Sequence, residues 1–124
     1  MSNIQGERHP FLDDLAADAE LTSSVLRGAV TGRDKIKLAV NTVGTFYTSQ
    51  NPIFMESAGS RLFLEYEAVL TSGEKLNATV VVDRNQDGSV PRVSVRMSPL
   101  GAALSLAKGL REALSDQLSE DLFL

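Results

Sequence analysis

Three stretches in the second half of the chain, residues 61–70 (RLFLEYEAVL), 75–83 (KLNATVVVD) and 92–98 (RVSVRMS), carry apolar side chains at alternate positions. Leu62, Leu64, Tyr66, Ala68 and Leu70 share one side of the first; Leu76, Ala78, Val80 and Val82 share one side of the second; Val93, Val95 and Met97 share one side of the third. A slip of one residue would turn a whole apolar set towards water, so the three sets must lie on one face of a common sheet. A two-residue loop at Ser72-Gly73 would make that error, whereas a three-residue loop, Ser72-Gly73-Glu74, with glycine available for positive φ, avoids it. This loop predicts Tyr66 opposite Val80 and Leu64 opposite Val82. Continuing to the third strand puts Val80 beside Val95, Ala78 beside Met97 and Asp83 beside Arg92. On the other face the same register aligns Glu67, Thr79 and Arg96 in one row and Glu65, Val81 and Ser94 in the next.

Upstream, Pro10 suits a first helical turn, and Phe11, Leu12, Leu15 and Ala16 follow at helical spacing, predicting a short helix. Leu21, Val25, Leu26 and Val30 among small polar residues suggest extended chain ending at Thr31-Gly32. Thr31 with Asp34 forms a weak capping box before a helix whose stripe is Ile36, Val40, Val43 and Tyr47. Residues 52–58 read as extended, closed by Gly59-Ser60. Ser98-Pro99 then opens an amphipathic helix with the stripe Leu100, Leu104, Ala107, Leu110 or Arg111, Leu114 and Leu118. With no β-α-β alternation across the strands, the order predicts an α+β domain: a curved, mostly antiparallel sheet with helices on its concave face.

The length of 124 residues and a hydrophobic share of 43% suit one compact domain, over 10–114, with a loose lead-in at 1–9 and a tail at 115–124 that terminal fraying would leave undocked by default. The absence of cysteine excludes thiolate catalysis, disulfides and thiolate metal sites within the chain and fits a reducing cytosol. Twelve Lys and Arg against sixteen Asp and Glu give a net charge of −4 with no basic run, which argues against nucleic acid as partner. The first ten residues lack the apolar core of a signal peptide, and no segment approaches the ~18 apolar residues of a membrane span, so a cytoplasmic protein is expected.

Two stretches, LAADAELTSSVLRGAVTGRDKI (15–36) and VSVRMSPLGAALSLAKGL (93–110), resemble the nuclear transport factor 2-like superfamily, shared with SnoaL-like polyketide cyclases and ketosteroid isomerase-like proteins. The resemblance implies a cone-shaped α+β roll and a homodimer joined through the sheet. It also exposes departures. The family's long first helix has no counterpart before Pro10. The position of the isomerase branch's Asp base falls on Ser23, and its second acid falls near Val80 to Val82, so the isomerase acid and base are missing from their expected places.

Residues 83–88 (DRNQDG) match the first half of a calcium loop, but the twelfth position is Ser94 rather than Glu and the flanks read as strands, so a polar hairpin turn explains the same letters. His9 is the only histidine, which excludes two-histidine metal sites within one chain. Glu65 and Glu67 form the best carboxylate pair, but they sit opposite to Tyr66, and neighbouring Asp13 and Asp14 face different directions on a helix. No metal or cofactor is expected.

A pocket under the helices would be lined by Tyr66, Val80, Val95, Ala68, Ala78 and Met97, with Phe11 and Leu15 as cover. The same residues would serve a filled core. The expected function is binding of a small, mostly hydrophobic molecule; the alternatives are a cyclase-like or isomerase-like enzyme using Tyr66 with His9 or Glu56, or an interaction domain with a filled core. Glu65, Glu67, Thr79, Arg92 and Arg96 are the candidate dimer contacts, because a two-fold axis could set the acids of one chain against the arginines of another.

Overall fold

In the structure, a computed structural model, residues 11–124 are described. The expectations placed on His9 and Pro10 fall outside these residues. Six strands form one curved sheet in the order β2-β1-β6-β5-β4-β3: β1 (Leu15–Ser23), β2 (Val30–Thr31), β3 (Tyr47–Ala58), β4 (Arg61–Leu70), β5 (Lys75–Asp83) and β6 (Val90–Ser98). All neighbouring pairs are antiparallel except β1 with β6. Helices α1 (Arg33–Thr45) and α2 (Leu100–Leu114) pack against the face that carries Leu64, Tyr66, Ala78 and Val80, all buried.

The alternating pattern decides which face is buried, as the sequence requires. The β5–β6 register is the expected one, with Val80 opposite Val95, Ala78 opposite Met97 and Asp83 opposite Arg92. The β4–β5 register differs by two residues: Tyr66 pairs with Ala78 and Leu64 with Val80. Here the three-residue loop is Thr71-Ser72-Gly73, one residue earlier than expected; Leu70 N donates to Glu74 O at 2.8 Å and Gly73 has φ 92°. The glycine is needed at the last loop position, where the chain turns left-handed to re-enter the ladder, rather than at the middle. A shift of two preserves the parity of every side chain, so the buried face is unchanged. The outer rows do change: Glu65 now joins Thr79 and Arg96, while Glu67 aligns with Asn77.

The expected first helix is a single 3-10 turn, Leu12–Asp14, and the chain enters β1 at Leu15. Phe11, Leu12, Leu15, Ala19 and Leu21 are all buried. Four apolar positions are too few to distinguish a helical turn from a turn feeding a strand, and the exposed edge of β6 supplies the partner that decides it. Extended chain then stops at Ser23, and Val30 and Thr31 pair again with β1. Gly32, with φ 107°, precedes α1 without a side-chain cap, so the Thr31–Asp34 box does not form. Tyr47 lies beyond α1, as the first residue of β3. β3 is an edge strand, where the missing N–H of Pro52 costs no pairing across the sheet.

On α2 the buried stripe is Ala102, Ala103, Leu106, Ala107, Leu110 and Leu114. Leu100 and Leu104, expected to face the core, are 71% and 48% exposed. The small Ala102 and Ala103 let the helix lie close to the sheet, and Gly109 admits the Phe46 ring, which would stand 2.7 Å from an added Cβ. Ser98 does not cap this helix; Pro99 occupies the cap position.

The tail docks rather than frays. Phe123 is buried, Leu26 forms a bridge with it, Arg27 N donates to Leu122 O at 2.8 Å, and Arg111 donates to Leu124 O at 2.7 Å. The 83–88 segment leads from β5 into the β6 hairpin: Asn85 N donates to Ser89 O, Gly88 has φ 89°, and the Asp87 carboxylate accepts from Ser89 N and Oγ. Those two bonds hold the Asp87 carboxyl below its ordinary pKa.

The helix face can be tested by a pair of truncations. Leu106→Ala is expected to lower unfolding free energy by roughly 2–5 kcal/mol in urea denaturation, whereas Leu104→Ala changes it by less than about 1 kcal/mol. Equal losses would contradict the orientation of α2.

Candidate functional site

An apolar cleft lies between the sheet and α1. Tyr66, Val80, Val95 and Met97 come from the inner face of the sheet, Leu21 and Ser23 from the end of β1, and Val25 and Leu26 from the loop that follows. Ala39, Val40 and Val43 of α1, Phe11, and Leu110 of α2 complete the wall. The free space is about 40 Å³. A buried water needs roughly 10–15 Å³, and a benzene-binding protein cavity measures about 150 Å³, so this space is too small for a ring.

Five of the eight residues expected to line a pocket, Phe11, Tyr66, Val80, Val95 and Met97, surround this space. Leu15, Ala68 and Ala78 do not line it; they are buried in the surrounding core. The two-residue change in register sets Ala78 directly opposite Tyr66 instead of beside Ala68. The walls contributed by Val25 and Leu26 were not legible, because the sequence marks them only as scattered apolar residues in extended chain; Ser23 was singled out only through the isomerase-like resemblance.

The polar side chains of the cleft wall are Ser23 and Tyr66, and the Tyr66 hydroxyl is paired with that of Tyr47, which stands outside the wall. Tyr47 Oη and Tyr66 Oη are 2.8 Å apart, and their rings meet edge to face with centroids 5.9 Å apart at 64°. Burying a hydroxyl without a partner is costly, and pairing two of them answers that cost within the core. Burial pushes both phenols above their ordinary value of 10.0. For Tyr47 the charge and hydrogen bond of Tyr66 add to the rise; for Tyr66 the bond from Tyr47 opposes it. The sequence offers Tyr47 as a possible polar group on the pocket side, at the end of a helical stripe; its pairing with Tyr66 forms only because α1 stops at Thr45.

Ser23, where the isomerase-like resemblance expects a base, does face the cleft, and its Oγ accepts from Val25 N at 3.2 Å. Val80 lines the cleft and Val82 is fully buried where the second acid would stand. None of the described lining residues is a carboxylate or an imidazole. Glu56 pairs with Phe63, on the face opposite to Tyr66. Glu65 also faces outward and accepts from Asn77 Nδ2 at 2.8 Å, while Glu67 is exposed. Asp13 and Asp14 are exposed, and Asp14 pairs with Arg84 at 3.0 Å. Arg92 lies 4.0 Å from Glu20. Among the described residues no cluster of three or more His, Cys, Asp or Glu is placed to hold a metal, and no helix is long and apolar enough to cross a membrane.

No protein-family model and no curated protein matches the chain. Solved structures do. An uncharacterised protein with a cystatin-like fold from Silicibacter pomeroyi superposes with a TM-score of 0.80 at 17% identity, over 86% of this chain and 75% of the other. A steroid delta-isomerase from Pseudomonas aeruginosa superposes with a TM-score of 0.77 at 19% identity, over 84% and 77%. A hypothetical protein with a ketosteroid isomerase-like fold from Catenulispora acidiphila, in complex with trimethylamine, gives 0.54 at 12% identity, over 68% and 69%. At these identities the likeness defines the fold: a cystatin-like α+β roll of the nuclear transport factor 2-like kind.

The phenol pair has a pH consequence. Both phenols are neutral in the folded and unfolded chain below about pH 10, so their contribution to stability is complete there. Above it the unfolded chain ionises first, and stability falls as pH rises towards the folded values. The chain has two tyrosines, so tyrosinate absorbance should appear only together with loss of tertiary structure. A phenol titrating near 10 in the intact fold would contradict the buried pair.

Proposed function

We propose that this chain is a small-molecule-binding domain whose apolar cleft takes a compact hydrophobic ligand bearing one hydroxyl or carbonyl, oriented by the Tyr66–Tyr47 pair. The observation that carries the reading is a mostly apolar wall in which Tyr66, its hydroxyl held by Tyr47 from outside the wall, and Ser23 are the polar side chains. The cleft is contracted, so a ring must displace side chains on entry. Met97 and Leu26 are half-buried and border the space, and the unbranched thioether of methionine re-packs readily. The similar folds of a steroid delta-isomerase and of a protein in complex with trimethylamine support a small-molecule role for such a roll. Isomerase-like or cyclase-like catalysis would need a base, which the described wall does not supply; the neutral phenols serve as hydrogen-bonding groups, which favours binding over turnover.

Methyl NMR titration with toluene and p-cresol tests this. Both should perturb the Val80 and Val95 methyls, p-cresol more tightly. Tyr66→Phe should weaken p-cresol about five- to tenfold, the worth of one neutral hydrogen bond of ~1 kcal/mol, and leave toluene unchanged. Ala39→Leu, which fills the cleft, should abolish both. Failure of either compound to reach these methyls would leave a filled core.

The outer face of the sheet suits a second copy. Glu65 shares a row with Thr79 and Arg96, and Phe63 and Val81 lie in the adjoining row. A two-fold axis through these rows would bring Glu65 against Arg96 of the other copy, with the apolar pair beside them. In sedimentation velocity the wild-type chain should behave as a dimer, Glu65→Arg as a monomer, and Glu65→Arg/Arg96→Glu as a dimer again. A wild-type monomer, or a dimer indifferent to Glu65→Arg, would refute the pairing.

A further inference from the structure

We infer that a second, polar site lies on the sheet, built around Glu67 and Lys75, and that it takes a small zwitterion of the α-amino acid type. It shares no lining residue with the apolar cleft and is an open concavity of about 380 Å³. Its geometry follows from the strand register. Glu67 of β4 faces Asn51 of β3 and Asn77 of β5, and Lys75 lies one step further along β5 on the same side. Opposite charges at such diagonal positions are ordinarily close enough for long side chains to meet. Here they do not: neither Glu67 nor Lys75 makes a side-chain hydrogen bond or ion pair with another described residue. β3 leaves regular pairing on both sides of this point, between Tyr47 and Ser49 and again between Pro52 and Phe54, and the concavity lies along the intervening stretch.

The chemistry of the wall selects the ligand. One carboxylate and one ammonium border the same space, so a simple anion or cation would be attracted by one and repelled by the other, whereas a molecule bearing both charges satisfies both. The ligand's ammonium would pair with Glu67 beside the Asn51 amide, and its carboxylate would pair with Lys75. Asn77 is held by its bond to Glu65 and keeps that side of the bowl in place. Val69 and Pro99 add apolar wall for a short aliphatic side chain.

A backbone-amide NMR titration with L-valine, N-acetyl-L-valine and L-valinamide tests the site on the full chain. L-Valine should give saturable shifts around Glu67 and Lys75, with the two blocked compounds binding at least fivefold more weakly. Glu67→Gln should erase the preference over N-acetyl-L-valine, and Lys75→Gln the preference over L-valinamide. Both side chains are exposed, so each variant should retain the wild-type spectrum elsewhere. No saturable shift with L-valine, equal binding of the three compounds, or shifts confined to the apolar cleft would overturn the assignment.

Discussion

The inner face of β4, β5 and β6 is built from cross-strand layers, Leu64–Val80–Val95 and Tyr66–Ala78–Met97, and the position of every other part is referred to them. A strand offers its side chains alternately to two faces, so an apolar set at every second residue leaves one face that must be covered. α2 covers it with small residues and leucines, α1 with Ile36 and Ala39. The cleft is the remainder of that covering, the place where α1, the end of β1 and the sheet do not fully meet. Ionised groups are left to the outer face, where Arg61 pairs with Asp83 at 2.8 Å and Glu65 with Asn77.

Within this arrangement the phenol pair sets the chemical character of the site. Two buried hydroxyls satisfy one another, and the same burial that makes them pair also keeps them neutral. The fold is similar to that of a steroid delta-isomerase, and among the described residues the cleft wall of this chain carries hydrogen-bonding groups and no carboxylate. Fold and chemistry are separable for that reason: the roll is specified by apolar periodicity, the reaction by a few side chains that can change without disturbing it.

The tail belongs to the same construction. Phe123 sits against Leu26, and Arg27 donates from its Nε to Phe123 O at 3.2 Å, so the last residues brace the loop that supplies Val25 and Leu26 to the cleft. A terminal Leu-Phe-Leu carries no periodicity to read, and its docking depends on an apolar gap formed by segments far away in the chain.

What the sequence determined by itself was parity and succession: which side of each strand in the meander is apolar, the β5–β6 register, the outward position of Glu65 and Glu67, and the turn at 83–88. These are local properties, fixed by alternation and by residues with strong turn preferences. Tertiary structure decided where two local readings were equally good. Phe11 to Ala16 fitted a helix as well as a turn entering a strand, and the open edge of β6 resolved it. α2 carried two apolar stripes, and the one containing Ala102 and Ala103 was buried because it permits the closer approach. Tyr47 fitted the end of a helix but became Tyr66's partner once α1 stopped at Thr45. In each case the choice depends on a surface contributed by another part of the chain, which no local pattern contains.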